Sequence, residues 1–413
     1  MFSTFDTLFN YLALYLTMVN IKSASGEMLV SWTGFAILLA LFVVSIAVYR
    51  RYFFNLSDIP GPFWASVTRL WHVWIILEGK QNVRLKALHR EHGPFVRIAP
   101  NEVSVCHPDG PTLLLRANLH KGDWYRVTAV PDYRFQNPMS TTNPMEKKTL
   151  SKHFTPGYAL SQILKRESDI NKNIESLLVW VEKYAEGRVP MDLDRFITYT
   201  TFDNIGCALF SEPFGFIKAG RDLDGTLRNN VALSRFAAVA GFFIGPLRIL
   251  INPLNSWLLL LPMGHLYKTT SIAIKKHLSN PKARNDMVTH WLSAQQKSSK
   301  LTLRHIEAQA NVNVGAGAEP VSSKDIWGDN ADEWDPERWL MGDAGKLDKN
   351  WIVFSAGYMT CPGRHFAWMQ ICKVAATLLR NYDISQVDPD NKWRYEANFT
   401  ALTYSWPVWV EKR

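Results

Sequence analysis

The residues best able to do chemistry form one short run near the C-terminus, Phe354-Ser355-Ala356-Gly357-Tyr358-Met359-Thr360-Cys361-Pro362-Gly363. Gly357 and Gly363 flank a single cysteine, and a helical pattern follows. A cysteine just ahead of a helix N-terminus is favoured as its thiolate by the helix dipole and the free backbone N–H groups. The thiolate is the form that ligates a metal. Glycines beside it let the backbone approach the sulfur and whatever the sulfur holds. The competing reading of the same residues is a helix preceded by a glycine turn with an incidental cysteine.

Several elements must position this loop. Ala367, Ile371, Val374, Ala375, Leu378 and Leu379 fall at helical spacing and predict a core-facing stripe just after it. Ile306, Ala310, Val314 and Gly317 predict a helix over Leu303 to Ser323, which passes directly into the polar loop Lys324 to Asp329. Residues 143 to 265 read as mostly helical. His92 to Val105 holds two short alternating runs joined by Pro100-Asn101 and predicts a β-hairpin. The fold class expected is mainly α with a small β-sheet (α+β).

Leu29 to Tyr49 carries no charge and is long enough to cross a hydrocarbon core of roughly 30 Å. Arg50 and Arg51 follow at once, so the positive-inside rule puts the rest of the chain in the cytosol. A signal peptide would have a shorter apolar run and a small-residue cleavage site. The expected division is a luminal or interfacial stretch over 1–28, a transmembrane anchor over 29–49, a basic flank with the Pro60-Gly61-Pro62 hinge over 50–62, and a folded domain over 63–413. Asn55-Leu56-Ser57 matches a glycosylation acceptor but faces the cytosol in this orientation.

The chain of 413 residues is 47% hydrophobic and 20% charged, which excludes a disordered protein. Its net charge is +9, from 46 basic and 37 acidic residues. No Lys/Arg block of the kind that binds nucleic acid is present, so the charge points to a membrane surface and an acidic protein partner. Cys106, Cys207, Cys361 and Cys372 show no Cys-x-x-Cys pairing, which argues against a disulfide framework or a structural zinc. Cys106, Cys207 and Cys372 are read as small buried hydrophobes.

The loop resembles the haem-thiolate signature of the cytochrome P-450 family, Phe-x-x-Gly-x-Arg-x-Cys-x-Gly. Phe354, Gly357, Cys361 and Gly363 match it, while Met359 stands where the family usually has a basic residue for a haem propionate. The resemblance extends, in order, over nearly the whole chain. The anchor with its Pro-Gly-Pro hinge resembles that of microsomal members, and the His92 to Val105 hairpin resembles the first sheet of fungal members. Asp203 to Gly206, through Glu212-Pro213-Phe214-Gly215, resembles a family helix ending. Asp332-Glu333-Trp334-Asp335-Pro336-Glu337-Arg338-Trp339 is similar to the Pro-Glu-Arg-Phe element.

The resemblance implies a cytochrome P-450-like fold behind one N-terminal transmembrane helix and a haem b whose iron is held by the Cys361 thiolate. Phe354, Gly357 and Gly363 would line that cofactor. A thiolate ligand pushes electron density that favours O–O cleavage. Ala316-Gly317-Ala318-Glu319-Pro320 resembles the distal helix motif, which implies that Glu319 relays protons. There Pro320 replaces the usual alcohol, and the bare residues also read as an ordinary Gly-then-Pro helix stop. A basic residue ahead of Phe154-Thr155-Pro156-Gly157-Tyr158 would meet a propionate, with Lys147, Lys148 and Lys152 available.

The implied activity is a monooxygenase acting on an apolar small molecule with O₂ and electrons from an NADPH-cytochrome reductase. Its setting would be the endoplasmic reticulum membrane and fungal secondary metabolism. The chain also departs from the family by an absence. It holds no Glu-x-x-Arg, and Ser323 runs straight into Lys324, so the fold is expected to be incomplete there. Arg338 would then lose partners, and an unpaired buried charge costs about 3–5 kcal/mol. The alternative is therefore a truncated, inactive relative, or a gene-model artefact.

Overall fold

The computed structural model describes residues 25–129, 132–243, 245–246, 263–279, 285–314, 335–340, 345, 347–348, 351–390, 394–398 and 401–413. They are mostly helical, with small antiparallel sheets, and divide into two compact units, 1–71 with 97–103, and 72–96 with 104–413.

The first unit carries helix α1 (Ser25–Val48), which runs on through a π-helical turn, Tyr49–Phe53. Trp32–Phe53 is long and apolar enough to cross a membrane, and none of it is buried. An apolar helix there is consistent with membrane anchoring. The Pro60–Pro62 segment is pinned rather than free. The Pro60 carbonyl accepts from the Arg97 N–H at 2.7 Å, and any Cβ on Gly61 would collide with the Arg97 backbone. The Arg97 side chain is buried and donates to the carbonyls of Arg50 at 2.8 Å and Pro100 at 2.7 Å. Arg50 in turn donates to the Val67 carbonyl at 2.9 Å.

The chain continues through α2 (Leu70–Leu77) and α3 (Gln81–His92) to the expected hairpin, β1 (Phe95–Ala99) and β2 (Glu102–Val105). Next comes α4 (Pro144–Phe154), whose start is dictated locally. Pro144 suits the first helical position, and the Asn143 side chain accepts from the N–H groups of Met145 at 2.8 Å and Glu146 at 3.4 Å.

The core of the second unit is built by α5 (Glu167–Gly187), α6 (Leu193–Phe210), α9 (Met287–Gln296) and α10 (Leu303–Val314), with α7 (Thr226–Ala240) and α8 (Met263–Ser279) beside them. Leu177, Met191, Leu209, Trp291 and Ile306 are all essentially inaccessible to solvent there. Ile306, Ala310 and Val314 are buried as predicted; Gly317 and the rest of that run lie outside the described residues. Within α6, the Asp203 carboxylate accepts from the N–H groups of Gly215, Phe216 and Ile217 at 2.7 to 3.1 Å and so folds the chain sharply after the helix.

The second unit is closed by α11 (Arg364–Asn381) and a three-stranded sheet in the order β3 (Met191–Asp192), β7 (Pro407–Lys412), β4 (Tyr382–Gln386). A separate pair, β5 (Arg394–Ala397) and β6 (Ala401–Tyr404), completes the sheets. Helix α11 corrects the predicted stripe. Phe366, Gln370, Val374 and Leu378 are buried, whereas Ile371 and Leu379 are 53% and 58% exposed. The helix is apolar on two faces, and the described residues cover one of them.

Candidate functional site

Residues 352 to 363 fold into a knot of short backbone hydrogen bonds. The Ser355 N–H donates to Ile352 at 2.7 Å and the Cys361 N–H to Phe354 at 2.9 Å, around a 3₁₀ turn at Gly357–Met359. Gly357 has φ +59, and an added Cβ would come within 2.5 Å of the Leu115 carbonyl oxygen. Only glycine fits both the left-handed conformation and that approach. Phe354 sits edge-on to Trp351 at 5.8 Å and tilted to Trp368 at 6.3 Å, an aromatic cluster under the loop.

Phe354, Gly357, Cys361 and Gly363 therefore come together in one loop at the start of α11. Gly363 is the residue that caps α11, and its N–H donates to the Cys361 sulfur. Cys361 is half-buried and forms no disulfide. Burial pushes its thiol above the usual range; the Gly363 N–H and the Lys147 charge pull the other way without winning. A bound metal ion overcomes such a balance, since coordination deprotonates a thiol outright. Among the described residues no group of three or more His, Cys, Asp or Glu could hold a metal. The described residues thus offer Cys361 as a single donor, which suits a metal that carries its other ligands, as an iron porphyrin does.

Of the three lysines on α4, Lys148 and Lys152 are exposed, and Lys147 alone turns inward. Its ammonium lies 3.6 Å from the Met359 sulfur and 5.0 Å from the centre of the Tyr358 ring. It thus occupies the neighbourhood of the side chain that departs from the signature. Burial pushes the Lys147 ammonium down to about 8, although Cys361 pulls it up. One residue missed at the sequence level is Lys121. Its ammonium donates to the carbonyls of Met139 and, at 3.2 Å, Pro138, and it lies 4.9 Å from the centre of the Tyr125 ring. Nothing in its spacing marked it out. A second missed group is Tyr158, whose hydroxyl accepts from Gln309 at 2.7 Å and donates to Asn313 at 2.8 Å, tying α10 to the turn after α4. Glu319 lies outside the described residues.

The other cysteines divide. Cys207 is buried, with its thiol pushed up to about 11 by burial, and is the inert hydrophobe expected. Cys106 is half-buried and Cys372 is exposed, against expectation, Cys372 because it lies on the uncovered side of α11. Arg338 is also not left with an uncompensated charge. It is half-buried, its Nε donates to the Asp335 carbonyl at 2.8 Å, and its guanidinium lies 4.0 Å from the Asp335 carboxylate. The expected penalty is avoided by a partner within its own turn.

The cytochrome P-450 family model matches residues 62–324 and 322–404. The chain belongs to the cytochrome P-450 family. The match comes in two pieces that meet at residues 322–324, where the distal run meets the polar loop. Among curated cytochrome P-450 proteins, the monooxygenase mpaDE of Penicillium roqueforti is 23% identical over 89% of this chain and 57% of its own length. The monooxygenase gsfF of Penicillium aethiopicum is 23% identical over 85% of this chain and 92% of its own length. The monooxygenase hepC of Aspergillus oryzae is 22% identical over 92% of this chain and 97% of its own length. The alignment with hepC spans 497 positions, more than the 413 residues of this cytochrome P-450 chain. The family implies a haem-thiolate iron cofactor, and the donor set around Cys361 fits its thiolate side.

Proposed function

We propose that the chain is a membrane-anchored haem-thiolate monooxygenase. It would insert one oxygen atom from O₂ into an apolar small molecule, with electrons from an NADPH-cytochrome reductase at the endoplasmic reticulum membrane. The likeness to fungal monooxygenases supports a role in secondary metabolism. The observation that carries the reading is the Cys361 sulfur, held by the Gly363 N–H at the head of α11 with the Lys147 ammonium nearby.

When bound, a haem iron held by the Cys361 thiolate would supply the activation of O₂. The chain's own residues do the rest. Gly363 donates to the sulfur and tempers its charge. Gly357 lets the backbone close over the loop. Phe354 covers one side of the sulfur-bearing turn with its aromatic neighbours. Lys147 would supply the positive charge for a haem carboxylate. Glu319, which the resemblance to the distal motif marks out, would relay protons, and Pro320 beside it has no side-chain hydroxyl to assist.

The test is a reduced carbon monoxide spectrum of the purified, detergent-solubilised full chain beside Cys361→Ser. A thiolate-type Soret band in the wild type that disappears in the variant is expected. The same band in both proteins would remove Cys361 from the iron.

A second reading is a truncated relative without activity. It is favoured by the two-piece family match and by the uncovered face of α11. Sequencing the transcript across the Ser323–Lys324 codons separates the two. An uninterrupted message coding for the 413 residues, with no turnover by the purified chain, would establish the second reading.

A further inference from the structure

Arg97 is the most deeply buried arginine or lysine among the described residues, at 1% exposed, and it belongs to the first unit together with Arg50 and Arg51. A guanidinium has five N–H donors. Those on Nη2 go to the carbonyls of Arg50 and Pro100, while Nε and Nη1 meet no acceptor among the described residues. The guanidinium carbon lies 5.9 Å from the centre of the Phe54 ring. Burial, and then the like charge of Arg51, lower the Arg97 guanidinium from its usual range, and no carboxylate pulls the other way. Glu102, in the same unit, is already held by Arg69 at 2.8 Å. Arg51 itself is half-buried, and its guanidinium carbon lies 5.3 Å from the centre of the Tyr52 ring. Burying a cation beside a like charge is unfavourable unless an anion joins them.

The surroundings say which anion belongs there. Arg50 and Arg51 sit in the π-helical turn Tyr49–Phe53, at the end of the apolar stretch Trp32–Phe53. A π-helical turn at the end of an α-helix is a frequent mark of a functional site. The short helix Phe63–Val67 packs against this turn. Tyr52, Phe53, Phe63 and Trp64 are all exposed. Aromatic side chains of this kind concentrate at the headgroup level of a bilayer, the level at which phospholipid phosphates lie. A water molecule would satisfy the unspent N–H groups and leave the charge uncompensated. A phosphodiester does both, and its acyl chains match the apolar surface beside it, which free phosphate does not.

We propose that Arg51 and Arg97 form a binding site for the phosphate of one membrane phospholipid, whose acyl chains run along the apolar helix that ends there. Arg51 supplies the reachable contact, and Arg97 the unspent donors and the charge behind it. The inference rests on the reading of Trp32–Phe53 as a membrane anchor. It gives the basic flank a ligand of its own, where the sequence offered only a general attraction to a membrane surface.

The experiment titrates the detergent-solubilised full chain with dioctanoyl phosphatidylglycerol, with dioctanoylglycerol, which lacks the phosphate, and with inorganic phosphate, and follows complex formation by native mass spectrometry. It compares wild type with Arg51→Gln, Arg51→Lys and Arg380→Gln. Arg51→Gln is chosen because it leaves the carbonyl bonds of Arg97, and with them the local fold, in place. Loss of a hydrogen bond to a charged group predicts phosphatidylglycerol binding weaker by about tenfold or more in Arg51→Gln. Arg51→Lys should keep most of the affinity, and Arg380→Gln, on α11, should match wild type. Dioctanoylglycerol bound as tightly as the phospholipid would reduce the site to apolar contact and overturn the proposal. Inorganic phosphate bound as tightly would make it a free-phosphate site and overturn the lipid assignment. Unchanged binding by Arg51→Gln, or no binding by wild type, would overturn it too. An alkaline carbonate wash of membranes carrying the wild-type chain tests the anchor separately: a chain that stays in the pellet but shows none of these phosphate-dependent differences overturns the lipid site alone, and a chain that washes off overturns the anchor with it.

Discussion

Helices α6 and α11 each have 18 residues, yet the molecule treats them differently. α6 is packed by α5, α8, α9, α10 and the turn it caps through Asp203, and it buries residues all around its surface, polar ones included. α11 rests on β4 and on the short helix Leu160–Ile163 and is tied to α6 by the Asn204 amide donating to Gln370 at 3.1 Å. It buries one face and leaves Trp368, Ile371 and Leu379 in solvent. Burial is therefore set by how many neighbours the fold supplies, not by the apolar content of the helix. The helix that follows the Cys361 loop has a second apolar face that no described residue covers, and the family match breaks in two within the same third of the chain.

The contrast can be broken by mutation. Phe210→Ala, in the fully surrounded helix, should cost about 3–5 kcal/mol in denaturant unfolding followed by tryptophan fluorescence. A loss similar to that of a surface substitution would mean that α6 is not the packed centre. Asp203→Ala removes the acceptor of three backbone N–H groups and should cost about 3 kcal/mol. Near-wild-type unfolding would show that water replaces the carboxylate.

At the loop, Gly357→Ala forces a side chain into the left-handed region, a penalty of about 1–2 kcal/mol before the clash with Leu115 is counted. It should empty the chain of haem before it unfolds it, as seen in the haem-to-protein absorbance ratio.

A smaller effect follows from Lys121, whose proton is held to pH 10.5 in an unfolded chain but only to about 7 in the folded one. The unfolded state then binds more protons across that interval, so stability of the haem-free chain should rise as pH increases through it. Lys121→Met should flatten the rise; an unchanged slope would mean the ammonium is not desolvated. The smallest effect belongs to Ile371→Ser and Leu379→Ser, each within about 0.5 kcal/mol of wild type if that face is truly bare. A large loss would reveal a covering segment.

Much of the site was legible in the sequence because its geometry is local. Cys361, Gly357, Gly363 and Phe354 lie within ten residues, and their types alone report the turn, the close approach and the helix cap. The hairpin and the buried side of α10 were legible for the same reason, through periodicity. What escaped was long-range. The segment holding Lys121 meets the loop only through tertiary folding, where Tyr358 donates to the Leu119 carbonyl, and nothing in the neighbours of Lys121 announces its burial. The α11 stripe was misjudged because Ile371 and Leu379 have the character of core residues, and a pattern records character rather than whether a partner is present. Arg338 was misjudged because Asp335 was read as part of a motif and not as a counter-charge.

The pinned Pro60–Pro62 segment bears on how the protein can be handled outside a lipid bilayer. The Arg97 guanidinium is fixed by the backbone carbonyl of Arg50, and the Arg50 side chain is fixed by Val67. A shortened, detergent-free form cut just after the apolar run would turn Arg50 into a fraying end and strip a buried arginine of an acceptor. The cut has to fall upstream of Arg50, so that a last turn of the apolar helix stays behind as a plug for Arg97.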